Sequence, residues 1–187
     1  MTQVQLWKSV DSWSGEWRLC LHCNRWLARR ALARFFGAIS RLGDGVFWYA
    51  LMLAIVLLGG PNGRIAALQM ALTGLAAAAL YRLLKRWTRR PRPFRAHSEI
   101  IAHVPPLDEF SFPSGHTLHA VCFTIIALAY FPLLAPLLVP FALLVAASRV
   151  VLGLHYPSDV LAATVIGCAL AATSLWISSL WISTLVS

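Results

Sequence analysis

The chain has 187 residues, 59% of them hydrophobic and 12% charged, with a formal net charge of +9. A soluble domain of this length needs more polar surface, and the apolar residues come in blocks long enough to cross a bilayer. Nothing in the chain has the form of a base-reading module, which excludes nucleic acid as the partner of the positive charge and leaves anionic headgroups and phosphorylated lipids.

In chain order, the first 17 residues contain Lys8, Asp11 and Glu16 and no apolar core, so no secretory signal peptide is expected. From Trp17 to Arg41, Arg18, Arg25, Arg29, Arg30, Arg34 and Arg41 alternate with Leu19, Trp26, Leu27, Leu32, Phe35, Phe36 and Ile39. So many arginines argue against a simple span. A helix lying in the membrane interface fits better, with arginines toward phosphates and rings toward acyl chains. Cys20 and Cys23 form a C-x-x-C around His22, but no second pair completes a tetrahedral metal site, so they read as ordinary thiols on a helix. Leu42-Gly43-Asp44-Gly45 is expected to break the helix. This divides the chain into an N-terminal interfacial amphipathic segment, 1–44, and a transmembrane core, 45–187.

Uncharged stretches of 19, 17, 39 and 28 residues follow, at 45–63, 65–81, 110–148 and 160–187. They read as one, one, two and one spans. The spans are helices, because backbone in hydrocarbon must satisfy its own hydrogen bonds. The first runs from about Val46 to Leu58, and Gly59-Gly60-Pro61-Asn62-Gly63 reads as a tight turn. The second covers Ile65–Leu84, with small residues from Gly74 to Ala79 suited to close packing. A hydrophilic loop, Lys85–Phe112, leads to a third span near His116–Phe131. Pro132 and Pro136 mark a turn before the fourth, Leu137–Leu152. A connector, Gly153–Ser158, precedes the fifth, Asp159–Ile182. Trp48, Trp87, Trp176 and Trp181 fall near span ends, where interfacial aromatics sit. The expected fold is an all-α membrane protein, about five transmembrane helices in one bundle plus the interfacial helix.

With that span order, three polar segments meet on one face. In Ser148-Arg149 with His155 and Asp159, a carboxylate that holds one ring nitrogen leaves the other basic, which activates a histidine as nucleophile or base. The plainer reading is a His and an Asp capping a helix, and Pro157 makes regular helical facing of the two doubtful. In Pro113-Ser114-Gly115-His116, Ser114 is an N-cap candidate, Gly115 allows close backbone approach, and a helix start offers amide donors to phosphate. His119, one turn on, is expected to be structural. In Lys85-Arg86-Trp87-Thr88-Arg89-Arg90-Pro91-Arg92-Pro93, a basic run beside a membrane suits lipid headgroups, and Lys and Arg are also the usual grips on phosphate oxygens.

Together these segments read K-x6-R-P, P-S-G-H and S-R-x5-H-x3-D, and here the chain resembles the type 2 phosphatidic acid phosphatase superfamily. The resemblance extends over the spans, and no motif covers the first 40 residues. It implies a hydrolase of lipid phosphates in which His155 attacks phosphorus, Asp159 orients His155, and His116 protonates the leaving group. Lys85, Arg92, Ser114, Gly115 and Arg149 are then the phosphate-binding residues. It implies no cofactor and no metal, and the sequence offers no carboxylate cluster for magnesium. Soluble relatives hold vanadate with the same constellation, a role that five spans argue against.

The implied substrate is a lipid phosphate or diphosphate. The short loop from Pro93 to Phe112 leaves no room for a headgroup-recognition domain. A polyprenyl diphosphate such as undecaprenyl diphosphate is the first expectation. Phosphatidate, phosphatidylglycerophosphate, or transfer of the phosphate to another lipid are the alternatives. The expected location is the bacterial inner (cytoplasmic) membrane, multi-pass, among membrane lipids. Fifteen of the 16 basic residues fall on the motif face, with Arg64 alone opposite. The positive-inside rule would turn that face to the cytoplasm, whereas bacterial members of the family usually place the site in the periplasm.

Overall fold

The computed structural model describes residues 15–186, with side chains as far as residue 180. Residues 1–14 of the expected N-terminal segment, and the Trp181 side chain, lie outside the described residues. Every regular element among them is helical. Helices α1 (Glu16–Arg25) and α2 (Arg30–Arg41) are joined by a 3-10 turn, and a π-helical turn, Leu42–Val46, leads into α3 (Phe47–Leu58). The expected break therefore appears as a bend rather than a loop. It turns at Gly45, whose φ of 134° is a conformation only glycine adopts easily. A bent helical turn keeps most backbone groups bonded, which a membrane-embedded segment requires.

Helix α4 runs Gly60–Thr88 and α5 is the short Pro93–Ala96. The turn expected at 59–63 shrinks to Gly59 and Gly60. Pro61 is already in the first turn of α4, where its missing N–H costs nothing. After a loop come α6 (Gly115–Tyr130), a 3-10 turn at Pro132–Leu134, α7 (Ala135–Val151) and α8 (Pro157–Val186).

Four stretches are long and apolar enough to cross a membrane: Arg30–Leu58, Gly60–Ala96, Pro132–Val151 and Pro157–Leu180. The fifth span, α6, has only 16 residues, about 24 Å of helix against a hydrocarbon core of about 30 Å. It packs against α4, α7 and α8, and Leu118, Ala120, Cys122, Ile126 and Ala127 on it are fully buried. A helix enclosed by other helices need not match the lipid. Its shortness also sets its N-terminal end, the Ser114–His116 motif, into the protein. The small-residue run on α4 does allow close approach: a methyl on Gly74 would come within 2.8 Å of the Phe123 ring.

Leu53, Leu57, Leu72, Leu143 and Leu161 face outward around this core, as lipid-facing residues do. Trp87 and Trp176 are also exposed, as interfacial rings would be. Trp48 is not: it is 1% exposed and packs on Phe123 and Phe141 at ring distances of 5.4 and 5.5 Å. Val46 and Tyr49 at the same helix start are exposed, so Trp48 lies on the face of α3 that packs into the bundle.

The N-terminal helices dock on the end of the bundle that carries the motifs. Asn24 on α1 donates to the carbonyls of Ile101 (2.9 Å) and Val151 (3.1 Å) and accepts from the Ile101 amide (3.0 Å). Leu19, Trp26 and Phe35 stay exposed, as do Arg18, Arg25, Arg29, Arg30, Arg34 and Arg41.

Candidate active site

The geometry is set where α7 ends. The amides of Leu154 and His155 both donate to the Arg149 carbonyl at 3.1 Å, which folds the connector back over the last turn of α7. Gly153 makes that reversal, with φ of 74°; a Cβ there would lie 2.8 Å from the Ile101 carbonyl oxygen. Arg149 and His155, six residues apart, are thus held side by side. Pro157 then starts α8.

His155 is 1% exposed and Asp159 is fully buried. The Nδ1 of His155 lies 3.6 Å from Asp159 Oδ2, an ion-pair distance longer than a hydrogen bond. Arg92 Nη1 approaches Nε2 at 3.2 Å. A guanidinium only donates, so Nε2 is the acceptor and the ring proton sits on Nδ1, toward Asp159. Burial, followed by Arg92, Arg149 and Lys85, holds the pKa of His155 well below that of an ordinary histidine. The ring is neutral, and its Nε2 lone pair points at Arg92. Asp159 also serves the plainer role, since its Oδ2 accepts the Tyr156 amide at 2.9 Å and caps α8.

The cations converge on the same point. Lys85, Arg92 and Arg149 are 5%, 1% and 2% exposed. Arg92 Nη2 and Lys85 Nζ both donate to Asp108 Oδ1, at 2.7 and 2.8 Å. Burial works against ionisation of Asp108, but Lys85 and then Arg92 outweigh it and hold its carboxyl below the usual range. Arg149 has no carboxylate within ion-pair distance among the described residues. Its Nη1 donates to Ser40, and its Nε has no partner.

His116, at the start of α6, meets Asp44 of the bend through Nε2. Gly115 and His116 line a cavity of about 950 Å³ together with Lys85, Arg92, Arg149 and His155. The cavity continues along an apolar wall that includes Trp48, Tyr49, Met52, Leu75 and Ala78. Ser114 stands apart from the other expected phosphate ligands. It is fully buried, and its hydroxyl accepts from the Thr117 amide and lies 3.0 Å from the Thr117 hydroxyl. It holds the helix start instead of facing the cavity. His119 is structural, with ring nitrogens on the carbonyls of Gly115 (2.8 Å) and Gly74 (3.2 Å). Cys20 and Cys23 are free thiols, Cys20 buried against the His155 carbonyl at 3.7 Å.

Four participants were not singled out from sequence: Asp44, Arg90, Asp108 and Glu16. Arg90 looked like any other member of the basic run, yet it is 3% exposed and pairs with Asp159 at 2.8 Å. Asp108 belongs to the only adjacent acidic pair in the chain, which was the one available signal. Its carboxylate sits on two cations that a phosphate would need. Asp108→Asn is therefore expected to strengthen competitive inhibition by inorganic vanadate by about threefold to tenfold, as read from Ki; weaker inhibition would mean that Asp108 organises the cations instead of competing for them.

Comparison with known proteins shows the family. The PAP2 superfamily profile matches residues 66–183. The undecaprenyl-diphosphatase BcrC of Bacillus subtilis is 38% identical over 119 residues, covering 63% of this chain and 61% of that protein. The decaprenylphosphoryl-5-phosphoribose phosphatase of Mycobacterium tuberculosis is 31% identical over 137 residues, 72% of each. Among solved structures, the PAP2-type phosphatidylglycerolphosphate phosphatase of Bacillus subtilis superposes with a TM-score of 0.73 at 23% identity, covering 94% of this chain and 92% of that one. Aquifex aeolicus LpxE gives 0.72 at 25% identity, covering 84% and 93%. A match over most of the membrane core, with the three motifs gathered at one end of a helical bundle, shows that the chain belongs to the PAP2 superfamily.

Proposed function

We propose that the protein is a membrane-embedded, metal-independent lipid phosphatase that works through a phosphohistidine on His155. The observation that carries this reading is Arg149, a buried cation with no carboxylate partner among the described residues, lining the same cavity as a neutral His155 whose Nε2 lone pair points at Arg92. A buried charge needs an anion. A phosphate bound by Lys85, Arg92 and Arg149 supplies it and presents phosphorus to His155. The N–P bond forms as the bond from phosphorus to the lipid-side oxygen breaks. His116 gives that oxygen its proton, and Asp44 steadies the imidazole. Water then attacks the phosphohistidine, releasing inorganic phosphate and restoring His155. The cations stabilise the charge on the phosphoryl oxygens throughout.

The proposed substrate is a polyprenyl diphosphate such as undecaprenyl diphosphate. The name of the Bacillus relative supports it, that of the Mycobacterium relative supports a polyprenyl carrier with its phosphate on a ribose, and the apolar wall running from the site suits a long hydrocarbon tail. Phosphatidylglycerophosphate is the second reading, supported by the 37% identity to Escherichia coli phosphatidylglycerophosphatase B over 73 residues. Phosphate release by the purified protein from undecaprenyl diphosphate, phosphatidate and phosphatidylglycerophosphate tests both. The highest kcat/KM is expected for the polyprenyl diphosphate, and release from none of the three would overturn the proposal.

Activity is expected to be unchanged in excess EDTA, because the side chains themselves supply the positive charge. A loss restored by magnesium would contradict the metal-independent mechanism. Orientation follows from the five-span order and a reporter fused after Ser187. A C-terminus outside the cytoplasm goes with a cytoplasm-facing site, as the charge distribution favours. A cytoplasmic C-terminus would place the site in the periplasm.

A further inference from the structure

The N-terminal segment lies outside the family match, yet it reaches the catalytic end of the molecule through one side chain. Glu16, in the first turn of α1, accepts from Arg90 Nη2 through Oε1 at 2.5 Å and from the Ser158 amide through Oε2 at 3.1 Å. Arg90 Nη1 donates in turn to Asp159 Oδ1 (2.8 Å) and Ser158 Oγ (2.7 Å), and the guanidinium lies 4.1 Å from the Tyr156 ring centroid. Asp159 faces Nδ1 of His155. Four groups therefore stand in line from the N-terminal helix to the reacting imidazole.

We propose that Glu16 and Arg90 are positioning residues for the Asp159–His155 pair, so that the N-terminal helix is part of the catalytic apparatus. The inference rests on the reading of His155 as the nucleophile. Arg90 fixes the Asp159 carboxylate, but a cation bonded to a carboxylate also draws off the charge that carboxylate can offer. Glu16 bonds the same guanidinium, so the single positive charge is shared between two carboxylates. Asp159 keeps more of its negative charge for the imidazole, which becomes cationic as Nε2 takes the phosphoryl group. Glu16 also grips the Ser158 amide, one residue from Asp159, and so sets the start of α8 against α1. Both effects act on the bond-making step, and neither touches the cations that bind phosphate.

The test is steady-state kinetics of full-length Glu16→Gln and Glu16→Asp in detergent, with gel-filtration elution and thermal unfolding as checks of folding. Glutamine keeps the shape and removes the charge. Its kcat is expected to fall on the order of tenfold to a hundredfold, the range for removing a group that orients a reacting side chain, with KM within about twofold. Aspartate restores the charge and is expected to recover most of kcat. A glutamine variant with wild-type kcat, or a loss carried by KM alone, would overturn the proposal. If the glutamine variant does not fold, Arg90→Lys gives the same readout: a fall in kcat at constant KM is expected, and wild-type kcat would overturn it. His155→Ala is run alongside. Turnover in that variant would defeat the nucleophile reading itself, whereas a dead His155→Ala with a fully active Glu16→Gln defeats the positioning role alone.

Discussion

Replacing His155 with alanine is expected to lower phosphate release by about 10⁴-fold or more, the scale seen when a covalent nucleophile is removed. Loss on this scale is expected because every neighbour of the ring serves its Nε2. Arg92 approaches that nitrogen at 3.2 Å and Asp159 faces the other. Arg149, brought alongside by the turn at Gly153, completes the site. On the proposed mechanism, removing the imidazole leaves the cations to bind phosphate with no group placed to attack it. Measured kcat should collapse while binding of inorganic vanadate persists. The low pKa of His155 sets a pH expectation with a definite sign. The reactive form is the neutral ring, so its share of activity persists as pH falls through 6.5 and is lost only when the ring protonates, well below that. An acid limb of kcat/KM above 6.5 that coincides with protonation of the His155 ring, followed by NMR of the labelled imidazole, would contradict this assignment.

Arg92→Lys is expected to lower kcat/KM by about 10²-fold to 10³-fold, although it keeps the charge. The guanidinium makes several bonds at once: Nε to the Asp108 carbonyl (3.1 Å), Nη1 to the Leu154 carbonyl (2.9 Å) and toward His155 Nε2, and Nη2 to the Asp108 carboxylate. It ties the connector, the loop and the His155 ring together. An ammonium is a point charge that cannot reproduce a planar fork, and the scale matches the loss of one or two preorganised donors to a developing oxyanion. Kinetics of the folded variant decide the matter. A lysine variant within about tenfold of wild type would mean that Arg92 contributes charge and little else.

The bundle could be read from sequence because hydrocarbon thickness sets a length and uncharged blocks reveal it. Its ends were harder. Glycine and proline at 59–63 mark a turn by composition, yet Pro61 opens α4, because a helix start is the one place where a proline loses no bond. Trp48 falls near a span end yet is buried, because it lies on the face of α3 that packs on Phe123 and Phe141. In the site, Lys85, Arg92, His116, Arg149, His155 and Asp159 stood out through their spacing. Their partners did not. Asp44 meets His116 across 72 residues of sequence, and Glu16 meets Arg90 across 74. A charge in a loop or a basic run has no periodicity to mark it, and its role appears only when the fold brings its partner. Ser114 shows the converse: of the two roles its position suggests, helix cap and phosphate ligand, the local geometry gives it the first.

The central claim is that phosphate passes through His155. The most direct test is to quench the enzyme during turnover of undecaprenyl diphosphate labelled in its terminal phosphate, under alkaline conditions that preserve phosphohistidine, and to map the label by peptide mass spectrometry. Label is expected on the peptide containing His155, acid-labile and absent from His155→Ala. Label on another residue, or full turnover by His155→Ala, would contradict it.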